Sequence, residues 1–154
     1  MNRDGYSLVE LMMVVGIVGV VSASAVPSLM SRKPQREMKQ AVWQIYMDLQ
    51  QAKALSVSES QSVTITVNNA QDQYSIWADS NGNGVRDVGE TETVDLSDTP
   101  NVDLYAYPET VSFNPSGTVS SSYYYFYMRV MVASSENRYI YVFPNGHIDP
   151  MRDQ

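Results

Sequence analysis

The chain has 154 residues, 44% of them hydrophobic and 18% charged, which bounds it to one modest globular domain beside a protruding element and excludes a disordered polymer. Its 17 acidic against 10 basic side chains leave a net charge of -7, so long-range electrostatics repel the phosphate backbone and disfavour nucleic acid as a general partner. No cysteine is present, which removes disulfides, thiolate metal sites and cysteine nucleophiles. From Tyr6 to Met30, Glu10 is the single ionisable residue in an apolar run. A helix over this stretch is about 37 Å long, enough to cross a hydrocarbon core of roughly 30 Å with some tilt. Ala23-Ser24-Ala25 offers a competing reading, a secretory signal with an A-x-A cleavage site. Glu10 argues against it, because a carboxylate at that depth costs on the order of 3 kcal/mol unless it is partnered or protonated. A discarded signal gains nothing from such a residue, whereas a subunit that pairs laterally with a neighbour can use it to fix register.

Gly5-Tyr6-Ser7-Leu8-Val9-Glu10 resembles the amino-terminal pattern of the type IV pilin and type II secretion pseudopilin superfamily: a short leader ending in Gly, a hydrophobic first residue, and Glu at the fifth mature position. The resemblance implies a leader over residues 1 to 5, cut after Gly5 by a membrane-embedded prepilin peptidase, and an N-methylated Tyr6. It also implies that Glu10 meets the terminal amine of an adjacent subunit. Pro27 falls where many members bend the helix, consistent with the kink a helix-interior proline imposes. Two departures are Tyr6 where Phe is usual and the weakly basic leader Met1-Asn2-Arg3-Asp4-Gly5. Arg32, Lys33, Arg36 and Lys39 follow the apolar run, and the positive-inside rule alone would put them in the cytoplasm. The resemblance implies the reverse: a single pass through the inner membrane with the head in the periplasm or outside the cell, then transfer into a filament. The implied partners are other subunits, the peptidase and an inner-membrane assembly platform.

Beyond Pro34, Met38, Ala41, Val42, Ile45, Leu49, Ala52 and Leu55 recur at three- and four-residue spacings, the period of an amphipathic helix over residues 35 to 57. It reads as a stem that continues the first helix, spans residues 31 to 57 with its junction, and packs on a sheet of the same chain. Trp43 and Tyr46 lie partly off the stripe. After Gln61 the period becomes two: Val63, Ile65 and Val67 alternate with polar residues, and Tyr74-Ser75-Ile76-Trp77 returns across an Asn68-Asn69 turn. Further strands are predicted at residues 91 to 96, 110 to 113, 123 to 132 and 138 to 143. The fold class is therefore α+β, a long amino-terminal transmembrane and stem helix packed on an antiparallel β-sheet head over residues 58 to 154. In the strand predicted over 123 to 132, alternation puts Tyr124, Phe126, Met128, Val130 and Val132 on one face and Tyr123, Tyr125, Tyr127, Arg129 and Met131 on the other. Such a tyrosine ladder can bind a partner or a glycan, although β-propensity and cross-strand packing also account for it.

Asp79-Ser80-Asn81-Gly82-Asn83-Gly84-Val85-Arg86-Asp87-Val88-Gly89-Glu90 has the ligand spacing of an EF-hand loop, with Asp79, Asn81, Asn83, the Val85 carbonyl, Asp87 and Glu90 as candidate calcium ligands. Strand flanks, Arg86 at an ordinarily apolar position and the Asn-Gly pairs fit a polar hairpin turn equally well, and both readings stay open. The segments Val111-Ser112-Phe113-Asn114-Pro115-Ser116-Gly117 and Phe143-Pro144-Asn145-Gly146-His147-Ile148 resemble the carboxyl-terminal strand-turn signatures of GspH/FimT-type minor pseudopilins. That resemblance implies a minor subunit that initiates or caps a type II secretion pseudopilus or a type IV pilus. One histidine, His147, and no G-x-S-x-G, H-E-x-x-H or phosphate loop leave nucleophilic and metal-hydrolase sites without their parts, so no enzyme activity is expected. The alternative is a surface adhesin or DNA-uptake receptor of pilin type. Arg129, Arg138 and Arg152 stand isolated among acids rather than clustered as a DNA-binding stripe.

Overall fold

The computed structural model describes residues 7–30, 33–81, 86–87, 89–96, 102–120, 123–132 and 137–151, with the side chains of 23–30, 132 and 151 excepted. The chain separates into two compact units, Met1–Lys33 and Pro34–Gln154. The first contains helix α1, Leu8–Met30, 23 residues with Glu10 in its first turn. Gly5 and Tyr6 lie outside the described residues, as do residues 31 and 32 at the expected helix junction.

Helix α2, Lys33–Ser58, belongs to the second unit from Pro34 onward, and its buried residues Met38, Ala41, Ile45, Leu49, Ala52 and Ser56 follow the predicted stripe, with one polar addition. The Ser56 hydroxyl donates to the Lys53 carbonyl at 2.7 Å, which lets it sit in the core. Val42, Tyr46 and Leu55 pack beside the core, while Trp43 points outward. After α2 come β1, Val63–Asn68, and β2, Gln73–Ala78, as the expected hairpin, then β3, Thr91–Asp95. They are followed by β4, Val102–Tyr107, β5, Thr110–Phe113, and the short β6, Val119–Ser120. Finally β7, Phe126–Val132, β8, Asn137–Val142, and β9, Ile148–Met151, complete the unit.

The head departs from the single predicted sheet. Five strands pair in the order β3-β2-β1-β5-β6 and four in the order β4-β7-β8-β9, with every pairing antiparallel. The chain leaves the first sheet after β3, adds β4 to the edge of the second, and returns as β5 beside β1. The two sheets share one apolar core with α2: Val63, Ile65 and Val67 from β1, Leu104 from β4, Phe113 from β5, and Phe126, Met128 and Val130 from β7 are all 4% exposed or less. Side chains of the β1–β2 turn hold the sheets together by pairing with the backbone of β4. Asn69 accepts from the Ala106 amide at 2.8 Å and donates to the Ala106 carbonyl at 3.2 Å, and the Asp72 carboxylate accepts from the Leu104 amide at 2.8 Å. These bonds give part of an edge strand the partners that an adjoining strand would otherwise supply.

The predicted strand over 123 to 132 begins only at Phe126, so Tyr124 does not share the core face; it is 92% exposed. Strand β4, a second sheet, and the short β6 and β9 were not predicted.

Candidate functional site

On α1 the large apolar side chains from Leu8 to Val21 are each between 56% and 75% exposed, and they surround one carboxylate, Glu10. An acid in a first turn complements the helix dipole, a gain of about 0.3–1 kcal/mol. That does not offset the roughly 3 kcal/mol cost of a charge at membrane depth, so a charged Glu10 in an apolar medium needs a partner. Among the described residues no helix is long and apolar enough to cross a membrane. The described side chains of α1 end at Ser22, after a rise of about 22 Å, whereas the 23-residue helical backbone rises about 35 Å. What the described part of the helix offers is an exposed apolar surface, marked near its start by one acid.

In the head, the loop between β2 and β3 brings together part of the predicted calcium set. The Asn81 amide donates to the Asp87 carboxylate at 2.8 Å. One Glu90 oxygen accepts from the Ser80 and Asn81 amides at 3.1 and 3.3 Å, and the other from the Asp87 amide at 3.3 Å. Asp79 precedes this ring as a half-buried residue. Asn83 and Val85 lie outside the described residues. Among the described residues no three histidine or carboxylate side chains are gathered as metal ligands. Among the described residues of the loop, Glu90 accepts from three backbone amides. Turning over the Asn81 amide would replace its donor with an oxygen facing Asp87, the arrangement a cation would favour.

The two carboxyl-terminal turn segments have the same backbone geometry and lie against each other. In one, Asn114 donates to the Thr118 carbonyl and Gly117 to the Asn114 carbonyl, each at 2.8 Å; in the other, Phe143 donates to His147 at 2.9 Å and Gly146 to Phe143 at 2.8 Å. Gly117 and Gly146 both adopt positive φ, 74° and 76°, where glycine avoids the penalty other residues meet. A Cβ on Gly146 would stand 1.9 Å from the Gly117 carbonyl oxygen, so the second glycine is also required by contact. The Val119 amide donates to the Pro144 carbonyl at 3.0 Å, and the Lys53 ammonium of α2 donates to the Gly146 carbonyl at 2.8 Å. The motifs thus form a clamp that joins both sheets to the helix. His147 is an exposed residue of this clamp, stacked on Phe143 at 5.9 Å.

The face of the second sheet that is turned from the core carries the tyrosine ladder, and it is wider than one strand. The cross-strand register sets Tyr107 opposite Tyr127 and Tyr127 opposite Tyr141, with Tyr105 and Tyr139 flanking Arg129. The Arg129 guanidinium lies 5.2 Å from the centre of the Tyr105 ring, a cation–π distance. Burial and the neighbouring tyrosines push the Tyr141 hydroxyl up from its ordinary value, and a hydrogen bond with Tyr123 does so for Tyr107. The added members went unrecognised in the sequence although Tyr105-Ala106-Tyr107 and Tyr139-Ile140-Tyr141 repeat at the strand period. On the opposite side of the head, Lys39, Val42, Trp43 and Tyr46 of α2 line a cavity of about 180 Å³ with Arg138 and Pro150.

Comparison with known proteins bears on these features. The family model of the type II transport protein GspH matches residues 41–146, and that of the prokaryotic N-terminal methylation motif matches residues 1–26. No curated protein sequence matches the chain. Among solved structures, the type IV minor pilin FimU of Pseudomonas aeruginosa is similar over 77% of this chain and 90% of its own, with 15% identity and a TM-score of 0.60. The minor pseudopilin EpsH from the type II secretion system of Vibrio cholerae is similar over 77% of this chain and 96% of its own, with 12% identity and a TM-score of 0.60. At these identities the likeness is one of fold, and it bears out the α+β, helix-on-antiparallel-sheet architecture.

Proposed function

We infer the role of the protein from its family, for the chain belongs to the GspH family of type II transport proteins and carries the prokaryotic N-terminal methylation motif. It is a structural, membrane-anchored, pilin-like subunit of a type II secretion pseudopilus or a type IV pilus, and the family is one of structural subunits. The observation that carries this reading is α1 itself: a helix with exposed apolar side chains throughout its described length and Glu10 near its start. Our proposal is that the leader is cut between Gly5 and Tyr6, that Tyr6 is methylated, and that the carboxylate of Glu10 pairs with the terminal amine of a neighbouring subunit. Pairing would neutralise both charges where water is scarce, so the register in which they meet is favoured over every other. We further propose that the subunit waits in the inner membrane with its head on the outer side, and enters the filament as an initiating or capping component through contacts with other subunits and the assembly platform.

The test is intact-mass analysis of the protein extracted from membranes that contain its processing machinery. Loss of Met1 through Gly5 with the gain of one methyl group is expected. Cleavage after Ala25 would overturn the proposal, since it would remove Glu10 along with the helix.

A second element of the proposal is that the loop from Asp79 to Glu90 takes calcium, through Asp79, Asn81, Asp87 and Glu90 with Asn83 and the Val85 carbonyl. It is supported by the ligand spacing and by the convergence of Asn81, Asp87 and Glu90 in one loop. Millimolar calcium should raise the melting temperature of the wild-type head and leave a Glu90→Gln variant unmoved. Equal responses from both would reduce the loop to a polar turn.

A further inference from the structure

The outward face of the second sheet is tiled by rings in mutual contact. Tyr107 and Tyr123 lie 5.5 Å apart, Tyr125 and Tyr141 5.4 Å, Tyr127 and Tyr139 6.3 Å, and Tyr139 and Tyr141 are stacked at 6.1 Å. The chain of contacts runs on through Phe143 to His147 in the closing turn. Tyr107, Tyr123 and Tyr125 are each nearly half exposed, at 49%, 48% and 46%. Nothing in the hydrophobic core requires this, because the same strands send Phe126, Met128 and Ile140 to the opposite face. Cross-strand packing favours each aromatic pair, and here the pairs merge into a continuous aromatic surface across β4, β7 and β8.

The chemistry of the surface limits what can cover it. Each tyrosine ends in a hydroxyl, and although Tyr107 and Tyr123 bond to one another, an occupant that covers the other rings must offer hydrogen-bonding groups or leave their hydroxyls buried without partners. An aliphatic protein surface cannot do this, and the exposed side chains of α1 are of that kind. Charge narrows the choice again. Among the described residues the face has one arginine, Arg129, already seated over Tyr105, with Asp103 on β4 and Asp149 on β9 at its margins. Two acids against one cation, on a chain of net charge -7, repel phosphate polymers and anionic lipid, a repulsion that an uncharged partner does not meet. Polyproline ligands insert into grooves between aromatic ridges, whereas rings in contact leave no such gap.

We propose that this face binds a neutral polysaccharide, with tyrosine rings stacking on the C–H faces of successive sugar rings and tyrosine hydroxyls bonding to sugar hydroxyls. Tyrosine suits this because it is a rigid side chain with an apolar body and a polar tip. The inference is independent of which filament the subunit enters, since it concerns only the head.

The experiment is calorimetric titration of the full-length protein, held in a zwitterionic detergent that contains no sugar, with cellohexaose, chitohexaose and mannohexaose. At least one should bind saturably. Joint Tyr127→Ala and Tyr141→Ala substitution should weaken that affinity by about tenfold or more. Joint Tyr127→Phe and Tyr141→Phe substitution preserves the rings and the fold and should lose only the hydroxyl part, about threefold. Trp43→Ala, on the far side of the head, should change nothing. The proposal is overturned if none of the three sugars binds, if binding survives the double alanine variant, or if decaproline binds this face and the sugars do not. It is also overturned if the phenylalanine pair keeps full sugar affinity but fails to join filaments, for the face would then belong to a neighbouring subunit.

Discussion

Helix α1 and the strands of the head are built from the same aliphatic side chains and put them to opposite uses. Val14 on α1 is 56% exposed and Val63 on β1 is wholly buried. In the head, alternation and the α2 stripe send the apolar atoms inward, and the polar groups among them find partners within the chain, as Ser56, Asn69 and Asp72 do. On α1 the large apolar side chains from Leu8 to Val21 are all more than half exposed. The head therefore carries its stability within itself, while α1 depends on lipid or on other subunits for the burial of the same atoms. A subunit organised this way can be extracted from a membrane and moved into a filament without refolding its head.

The largest expected effect separates the two regions completely. Glu10→Ala removes the only ionisable group of α1 and should abolish incorporation into filaments, while cleavage at Gly5 and the thermal transition of the head stay as in the wild type. Cross-linking of membranes for incorporation, with intact mass for processing, reads both; normal incorporation of the variant would break the comparison. Gly146→Ala is the converse. Its Cβ would meet the Gly117 carbonyl oxygen at 1.9 Å in a backbone at φ 76°, so a loss of about 3–5 kcal/mol of head stability is expected in denaturant unfolding. The proposed cleavage after Gly5 should be untouched, because Gly5 belongs to the other unit.

Much of this division was legible in the sequence, for physical reasons that differ by region. An unbroken apolar run with one acid is a local signal, so α1 and Glu10 stood out without knowledge of the fold. The α2 stripe and the alternation in β1 were equally local, because each element buries one continuous face. Strand β4 escaped, although Val102, Leu104 and Ala106 alternate, because its register depends on side chains of a turn more than thirty residues earlier in the chain. The split into two sheets escaped for the same reason, since β5 pairs with β1 while β4 pairs with β7. At the candidate sites the two Gly turns could be recognised one at a time, but their meeting, and the reach of Lys53 to Gly146, are long-range facts. The tyrosine ladder was seen along one strand, and its width emerged only when register brought three strands together.

A smaller effect tests whether the interior of the head titrates as one packed unit. The Tyr74 hydroxyl, on a side chain only 2% exposed, donates to the Asp48 carboxylate and so ties β2 to α2. Burial first, and then this bond, push its ionisation well above the ordinary value of about 10. The folded protein thus keeps a proton that the unfolded chain releases above about pH 10, so this contribution to stability is complete below that pH and is lost as pH rises further. Tyr74→Phe should cost about 1–2 kcal/mol at neutral pH and should flatten the alkaline fall in stability relative to the wild type. Parallel stability curves from pH 9 to 11 would mean that the hydroxyl is hydrated in the folded head.

The smallest effect concerns the place where α2 stops. Ser60 has φ 53°, and the Gln61 amide donates to the Ser56 carbonyl at 3.2 Å, so Ser60 occupies the left-handed position of a Schellman cap. Glycine is the residue this position favours, because an L side chain there costs about 1–2 kcal/mol. Ser60 is exposed, and its replacement disturbs no packing. Against the relief stands the extra freedom glycine gives the unfolded chain, about 0.5–1 kcal/mol. Ser60→Gly should therefore raise head stability by roughly 0.5 kcal/mol, visible as a small increase in the denaturation midpoint at unchanged slope. Processing and incorporation should not change, since the added stability belongs to a region that already buries its own core. If incorporation fell while the head grew more stable, the strained cap would have to be part of how the subunit docks, and the head would no longer be independent of assembly.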